Sequence, residues 1–427
     1  MEFDDCNILH VDLNCCYAQI ECMQRPGIRK LPVVVGGDEE SRHGIVLAKN
    51  EIAKKAGIGT ACTLNEARKI CPNLVIVPPN FKLYKQVSSI SRQIFYSYTD
   101  LVEPFGIDEC WLDVTNSKEA IGESPLDIAI AIQNELIDKL GLTTSIGVSW
   151  NKIFAKFGSD YKKPHAITAI NHSNYKKIVW ESGVRDLLYV GAATERKLSE
   201  GGYYTIGDLA NAPDYFLQSN FGKVGFMLRT FARGDDKTPV SVMNPDTIDV
   251  DRTIKSYGNG ITFPRDICDD ETARSVIHML AESVAHRMRE DFVRARTVTI
   301  FIRDANTLAS FSRQKKLKVP TNLTREICDE AWNLAKVNYT FSDDSPVRGI
   351  TVQASDLVGI DEYRKIPLMD NYNPRRNLEI LDSQVDLIRE KYGNNAVMWG
   401  AKASDDTTKD LDIKADNTVH PISFFYR

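Results

Sequence analysis

At 427 residues, with 43% hydrophobic and 26% charged side chains, the chain is long enough for roughly two to four domains and has the balance of a soluble globular protein. Its longest apolar runs, such as Leu31-Pro32-Val33-Val34-Val35, fall far short of the ~20 residues of a membrane span, and Met1–Asp5 lacks the basic and apolar regions of a signal peptide, so a cytoplasmic protein without membrane contact is expected. The net charge of −5 excludes a uniformly basic nucleic-acid binder, and nine scattered cysteines without a Cys-x-x-Cys pair argue against zinc or a disulfide framework.

Alternation and spacing predict strands at Ile8–Leu13, Pro32–Val35, Gly44–Ala48, Val75–Val77, Leu101–Phe105, Glu109–Val114, Ser145–Val148 and Ala166–Ile170. Helices are expected at Cys15–Met23, Glu51–Ala56, Leu64–Ile70, Tyr84–Tyr98, Leu126–Leu140 and Asn151–Lys162. The irregular order of strands and helices points to an α+β sheet rather than a doubly wound one. Small helices follow at Tyr175–Trp180, Ala193–Glu200, Ile206–Ala210 and Lys223–Ala232, and the polar stretch Asp235–Asp251 has the composition of a linker. Beyond it, helices at Glu271–Glu290 and Leu323–Val337 alternate with strands at Thr297–Arg303, Leu308–Lys318 and Pro346–Ser355, the last five elements of a β-α-β-β-α-β order. The polar stretch from Ala401 is expected to be mobile.

Two apolar strands end in acid: Ile8-Leu9-His10-Val11-Asp12, and the strand that opens at Ile107-Asp108-Glu109. Three carboxylates so placed repel one another unless a cation holds them, and hard oxygen ligands suit Mg²⁺ or Mn²⁺ completed by substrate phosphates. That chemistry is phosphoryl or nucleotidyl transfer. From Arg287 to Lys318 nine basic residues face three acidic ones, a net +6 inside an acidic chain. By itself such a run is as compatible with a solvated face as with a nucleic-acid contact.

An ordered series of segments resembles the Y-family DNA polymerases, most closely the DinB branch. It comprises His10-Val11-Asp12-Leu13-Asn14-Cys15-Cys16-Tyr17-Ala18-Gln19-Ile20-Glu21, Ile107-Asp108-Glu109-Cys110-Trp111-Leu112-Asp113, Ser145-Ile146-Gly147-Val148-Ser149, Asn151-Lys152, Ala155-Lys156, Lys163-Pro164, Thr205-Ile206-Gly207-Asp208-Leu209 and Thr262-Phe263 with Asp266. The resemblance implies a right-hand α+β multidomain fold: palm at 1–20 and 78–170, small fingers at 21–77, helical thumb at 171–233, linker at 234–251, β-α-β-β-α-β little finger at 252–357, and a C-terminal segment and tail at 358–427. It implies a low-fidelity translesion polymerase, a monomer working on primer-template DNA and dNTPs with a sliding clamp as partner.

By the same resemblance Asp12, Asp108, Glu109 and the Leu13 carbonyl ligate two Mg²⁺ ions, for which Mn²⁺ can substitute. Cys15, Cys16, Tyr17, Lys54 and Lys163 bind the nucleotide, with Tyr17 the steric gate against a ribose 2′-hydroxyl. Gly191, Arg294, Arg296, Arg313, Lys315 and Lys316 contact DNA, and Leu368 and Met369 contact the clamp. Several positions depart from the family. Asn50-Glu51-Ile52-Ala53-Lys54 puts Glu51 and Lys54 where DinB relatives carry tyrosine and arginine, a form similar to the UmuC branch, and Asn14 and Cys16 replace an acid and an aromatic. Glu51 is expected to take no part, since a carboxylate repels a triphosphate. The thumb hairpin keeps only Gly191, and Lys365-Ile366-Pro367-Leu368-Met369 lacks the clamp motif's glutamine, leaving Ile422-Ser423-Phe424-Phe425-Tyr426 as a second clamp candidate. Two rivals stand beside this reading. One is a catalytically impaired polymerase-like DNA-binding protein. The other is a nucleotide cyclase, suggested by Gly36-Gly37-Asp38-Glu39-Glu40.

Overall fold

The computed structural model describes residues 5–37, 44–117, 124–241, 254–360 and 374–400. Those residues form two units that divide between 241 and 254, each with its own core. Among the described residues no helix is long and apolar enough to cross a membrane.

The first unit runs β1 (Ile8–Leu13), α1 (Cys16–Gln24), β2 (Val33–Gly36), β3 (Val46–Lys49), α2 (Glu51–Lys55), α3 (Leu64–Ile70), β4 (Val75–Val77), α4 (Phe81–Tyr96), β5 (Val102–Pro104), β6 (Glu109–Asp113), α5 (Pro125–Leu140), β7 (Thr144–Ser149), α6 (Lys152–Tyr161) and β8 (Ile167–Ala169). A five-stranded sheet in the order β5-β6-β1-β7-β8 puts β1 at its centre, antiparallel to both neighbours. Alternation then sorts its residues. Leu9, Val11 and Leu13 face a core closed by Tyr84 and Ile94 of α4 and Ile128 and Ile132 of α5. His10 and Asp12 face the other way, toward α6, and β6 matches them by pairing Trp111 with His10 and Glu109 with Asp12. Gly147 sets how closely α6 lies on this face: a Cβ there would fall 1.9 Å from the Ala155 carbonyl oxygen.

A smaller sheet, β3-β2-β4, carries α2 and α3. Asn50 caps α2 by accepting from the Ala53 N–H at 2.9 Å. The same side chain accepts from Val33 N (3.1 Å) and donates to the Leu31 carbonyl (2.8 Å), which fixes the start of α2 against β2. Gly36 at the end of β2 has a packing reason, because a Cβ would meet Leu64 Cδ2 at 2.8 Å and the Ile45 carbonyl oxygen at 2.9 Å. The remainder of the cyclase-like run, from Asp38, lies outside the described residues.

Helices α7 (Ala192–Glu200), α8 (Ile206–Ala210), α9 (Asp214–Phe221) and α10 (Lys223–Arg233) follow a π-helical turn at Lys176–Trp180. Their core of Leu198, Ile206, Leu217, Leu228 and Phe231 is continuous with Ile153, Phe154 and Phe157 of α6, so α6 is packed on both sides. The stretch expected to be a linker from Asp235 is held on this unit as far as Ser241. Val240 packs with Phe105 and Trp111, and Ser241 N donates to Glu103 Oε2 at 2.7 Å. The same Glu103 accepts from the buried Lys152 ammonium at 2.7 Å. Polar composition alone hid this anchor.

The second unit is a four-stranded antiparallel sheet, β11-β10-β12-β9, built from β9 (Ser256–Ile267), α11 (Asp270–Glu290), β10 (Val293–Asp304), β11 (Ser310–Thr321), α12 (Thr324–Asn338) and β12 (Val347–Gly359). Val276, Leu280 and Val284 of α11 and Ile327 and Ala331 of α12 pack on Val298, Ile300 and Val352 of the sheet. A further helix, α13 (Pro374–Tyr392), was not expected. It docks through charge: Arg289 Nε donates to Asp386 Oδ2 at 2.6 Å and Nη1 to Asp382 Oδ2 at 3.1 Å, and Arg389 reaches Glu282 at 3.0 Å. Trp399 just beyond it stacks on His278 with ring centroids 4.0 Å apart.

This dock is sensitive to both mutation and pH. Arg289→Ala removes the guanidinium shared by two largely buried carboxylates and is expected to destabilise the second unit by about 3 kcal/mol, read as a lower urea midpoint. Burial alone would raise the Asp386 carboxyl, but hydrogen bonds from His286 and Arg289 outweigh it and hold it well below the usual carboxylate range. A group depressed in the folded state contributes stability above its unfolded value, about 3.9, and loses it as pH falls below that point. The urea midpoint of the wild-type chain should therefore drop below pH 4 more steeply than that of Asp386→Asn; parallel curves would contradict the role.

Candidate active site

One cavity of about 410 Å³ collects the predicted metal and nucleotide residues: Asp12, Leu13, Cys15, Cys16, Tyr17, Lys54, Asp108, Glu109 and Lys163 all line it. Their convergence follows from the elements. The β1–β6 register sets Asp12 opposite Glu109, and Leu13 N donates to the Asp108 carbonyl at 2.9 Å, holding the Asp108-Glu109 turn against the strand end. Cys15, in left-handed conformation (φ 46°), turns the chain from β1 into α1 and brings Cys16 and Tyr17 to the cavity wall. Asn50 aims α2, so that Lys54 and Glu51 close the opposite wall.

Carboxylates and ammonium groups are interleaved in the cavity. Lys163 Nζ lies 2.6 Å from Asp12 Oδ2, and Lys156 Nζ lies 2.6 Å from Glu109 Oε2 and 3.2 Å from Asp12 Oδ2. Asp160 holds both lysines from behind, at 2.6 Å to Lys163 and 3.1 Å to Lys156. Burial, then the Asp12 charge, raises the Asp108 carboxyl to about 6. Glu109 is raised as well, by burial and the other acids acting against Lys156. Burial opposes the charge on Lys156, but Glu109, Asp12 and Asp160 outweigh it and hold the ammonium firmly protonated. The cluster is therefore short of positive charge even with two lysines in it.

That shortage fits a divalent cation. The donors are hard carboxylate oxygens, and a +2 ion would relieve the repulsion that raises Asp108 and Glu109. Single ligand atoms of His10, Asp12 and Glu109 lie within 4.8 Å of one another. His10 is the soft member of that trio. It is fully buried, its Nδ1 pairs with Ser159 Oγ at 2.9 Å, and burial followed by the Lys156 and Lys163 charges keeps it neutral. The oxygen set of Asp12, Asp108 and Glu109 suits Mg²⁺ better than a set containing imidazole.

The nucleotide wall has its own order. The Tyr17 ring stacks on Tyr84 with centroids 4.3 Å apart and planes within 9°, and Tyr84 Oη donates to Glu21 at 2.5 Å. Phe81 meets Tyr17 edge-on at 5.8 Å. Glu51, expected to take no part, lines the cavity: it accepts from Cys15 Sγ at 3.2 Å and lies 3.7 Å from Lys54. That contact, after burial, pushes the Cys15 thiol up to about 12, so it stays protonated.

The sequence reading missed Lys156, Lys49 and His10. Lys49 lines the cavity and donates to Thr60 at 2.6 Å. The available signal for Lys156 was its spacing, four residues after the buried Lys152 and four before Asp160 on one face of α6.

Other predicted residues lie elsewhere. Gly191 is the residue before α7. In the second unit, Arg294 Nη2 is 3.2 Å from Glu379 of α13. The β10–β11 register sends Arg313 and Lys315 to the helix side of the sheet, opposite Ile300 and Val298. There Lys315 meets Glu330 at 2.8 Å and Arg313 meets Asn338 at 3.2 Å. Lys316 pairs with Thr297 in that register, with Nζ 3.7 Å from Asp356, and Arg296 lies beside it on β10. The +6 run is thus not one surface: Arg289 and Arg294 are tied to α13, and the edge strand divides its cations between two faces. Leu368, Met369 and the 422–426 tail lie outside the described residues.

Comparison with known proteins bears on this geometry. Residues 11–160 match the impB/mucB/samB family and residues 254–368 its C-terminal domain. A DNA polymerase IV from Acetivibrio thermocellus is 44% identical over 398 residues, 93% of this chain and 98% of the relative. One from Moorella thermoacetica is 40% identical over 398 residues, 93% and 96%. DNA polymerase IV 2 of Bacillus subtilis is 33% identical over 400 residues, 92% and 94%. Among solved structures, a Y-family DNA polymerase chimera superposes with a TM-score of 0.71 at 23% identity, covering 82% of this chain and 99% of that one. An insertion ternary complex of Dbh DNA polymerase gives 0.54 at 22%, covering 82% and 99%. At such identities these structures speak to the fold alone.

Proposed function

Since the chain belongs to the Y-family DNA polymerases, in the DNA polymerase IV branch, we propose that its acid and lysine cavity is the nucleotidyl-transfer site of a low-fidelity translesion polymerase. The chain is a DNA-directed DNA polymerase that takes primer-template DNA and dNTPs. The observation that carries the site assignment is Asp12 set opposite Glu109 across β1 and β6, with Lys156 on both and Lys163 on Asp12.

In this reading Asp12, Asp108, Glu109 and the Leu13 carbonyl hold divalent cations, two Mg²⁺ or in their place Mn²⁺. Once bound, these supply Lewis-acid activation of the primer 3′-hydroxyl and neutralisation of triphosphate charge. The chain's own groups do the rest. Lys163 and Lys156 would offer ammonium groups to the phosphates if cation charge replaced theirs on the acids, with Lys54 and Lys49 on the facing wall. Tyr17, backed by Tyr84, blocks a ribose 2′-hydroxyl. Glu51 lowers the positive potential of the facing wall and so limits triphosphate affinity.

The first unit is read as palm, fingers and thumb, with fingers at 21–77 too small to close far around a new base pair. Selection then leans on pairing itself more than on induced fit, which is the basis for low fidelity and tolerance of damaged templates. The second unit is read as the little finger, gripping DNA through Arg296 and Lys316, with Arg294, Arg313, Lys315 and the thumb Gly191 as further contacts. Such phosphate contacts weaken with salt. Clamp contact through Leu368 and Met369 and a monomeric working state complete the reading. Single-nucleotide incorporation on an undamaged primer-template, with and without Mg²⁺, tests the site. Incorporation that persists in excess chelator would sink the metal assignment, and product from GTP alone would favour the cyclase.

A further inference from the structure

Asn14 follows directly on the strand that carries Asp12 and Leu13, is 4% exposed, and lines the same cavity. Its amide is oriented by its neighbours: Oδ1 accepts from His165 N at 3.0 Å and Thr144 N at 3.3 Å, and Nδ2 donates to Ser145 Oγ at 2.9 Å. The Thr144 and Ser145 contacts only reinforce a strand pairing that the backbone already makes. The His165 contact is different. It crosses from the end of β1 to the turn Lys163-Pro164-His165, which leads from α6 into β8. His165 sits there in left-handed conformation, φ 53°, which a non-glycine residue adopts only when its surroundings hold it.

We propose that Asn14 is a positioning residue for nucleotide binding: by accepting the His165 N–H it fixes the turn from which Lys163 reaches the triphosphate. The proposal rests on the reading of Lys163 as a triphosphate contact. Lys163 is held by Asp12 and Asp160 at 2.6 Å each. With a cation on Asp12 one of those restraints would be lost, and the ammonium at the end of a four-carbon stem would be placed by Asp160 and by its own backbone. Asn14 sets that backbone. His165 itself is exposed, so its N–H can reach water when the acceptor is removed. Loss of Asn14 should therefore loosen the turn rather than unfold the chain.

The test is steady-state incorporation of a single dNTP by the full chain, comparing Asn14→Ala, Asn14→Asp, Lys163→Ala and the Asn14→Ala/Lys163→Ala pair, with thermal unfolding as a check on folding. Misplacement of a binding group by a fraction of an ångström to one ångström predicts a KM for dNTP raised about 5- to 10-fold in Asn14→Ala, with kcat changed less than about 2-fold. Asn14→Asp should restore KM, because a carboxylate accepts both N–H groups and the Ser145 hydroxyl can rotate to donate. The double variant should be no worse than Lys163→Ala alone, since both act through one contact. An unchanged KM in Asn14→Ala, an Asn14→Asp as poor as alanine, or multiplied defects in the double variant would each overturn the proposal. An unchanged KM in Lys163→Ala would instead remove the reading of Lys163, and the proposal with it.

Discussion

Asp108→Ala is expected to lower nucleotide incorporation by on the order of 10³-fold or more while leaving primer-template affinity within about 2-fold. The reasoning is electrostatic. Asp108 lines the cavity and is raised to about 6 by burial and by Asp12, so its carboxylate is costly to keep charged without a cation. Removing it relieves the repulsion with Asp12, and the folded chain should be no less stable than wild type. On the proposed assignment only the cation-bound site would suffer, because it would lack one oxygen ligand when charge must be neutralised during transfer. Activity and stability thus move in opposite directions, an outcome that a merely structural acid would not give. Incorporation at a tenth of the wild-type rate or better would remove Asp108 from the site.

The second large effect concerns sugar choice. Tyr17→Ala should raise ribonucleotide incorporation relative to the matching deoxynucleotide by roughly 10²-fold, because the exclusion comes from overlap with a rigid ring, worth about 1–3 kcal/mol. The rigidity is visible. Tyr17 lies flat on Tyr84 at 4.3 Å, Phe81 meets its edge, and Tyr84 is pinned by Glu21. A ring free to swing would yield to a 2′-hydroxyl, so Tyr84→Leu should relax the discrimination too, though less than loss of the gate itself. Unaltered sugar preference in Tyr17→Ala would assign the ring to packing.

Sequence and structure agree best where the physics is local. Period-two alternation in Ile8–Leu13 and Glu109–Asp113, each with acid at an end, is enough to locate both strands and to set their carboxylates beside a core. It cannot say which cations answer them. Lys156 looks like any helix lysine until Gly147 lets α6 press onto the sheet, and Glu51 looks like a misfit until Asn50 turns α2 inward. Strand β9 was obscured by Gly258, Gly260 and Pro264, residues that weaken a strand signal and that an edge strand with an irregular register tolerates. Helix α13 was missed although Leu378, Leu381, Val385 and Ile388 recur at helical spacing, and its dock also uses the charges of Asp382, Asp386 and Arg389, which no apolar pattern marks. The basic run was legible as charge, but its division between sheet faces depends on β10–β11 pairing, which no local pattern encodes.

The most direct test of the account is primer extension by the full chain with Mg²⁺ and four dNTPs on a template carrying a minor-groove N²-guanine adduct, beside the undamaged template. Extension past the adduct is expected at a rate within about tenfold of the undamaged template, with its loss in Asp108→Ala. Synthesis that stops one nucleotide before the adduct while running freely on undamaged DNA would contradict an open, damage-tolerant site.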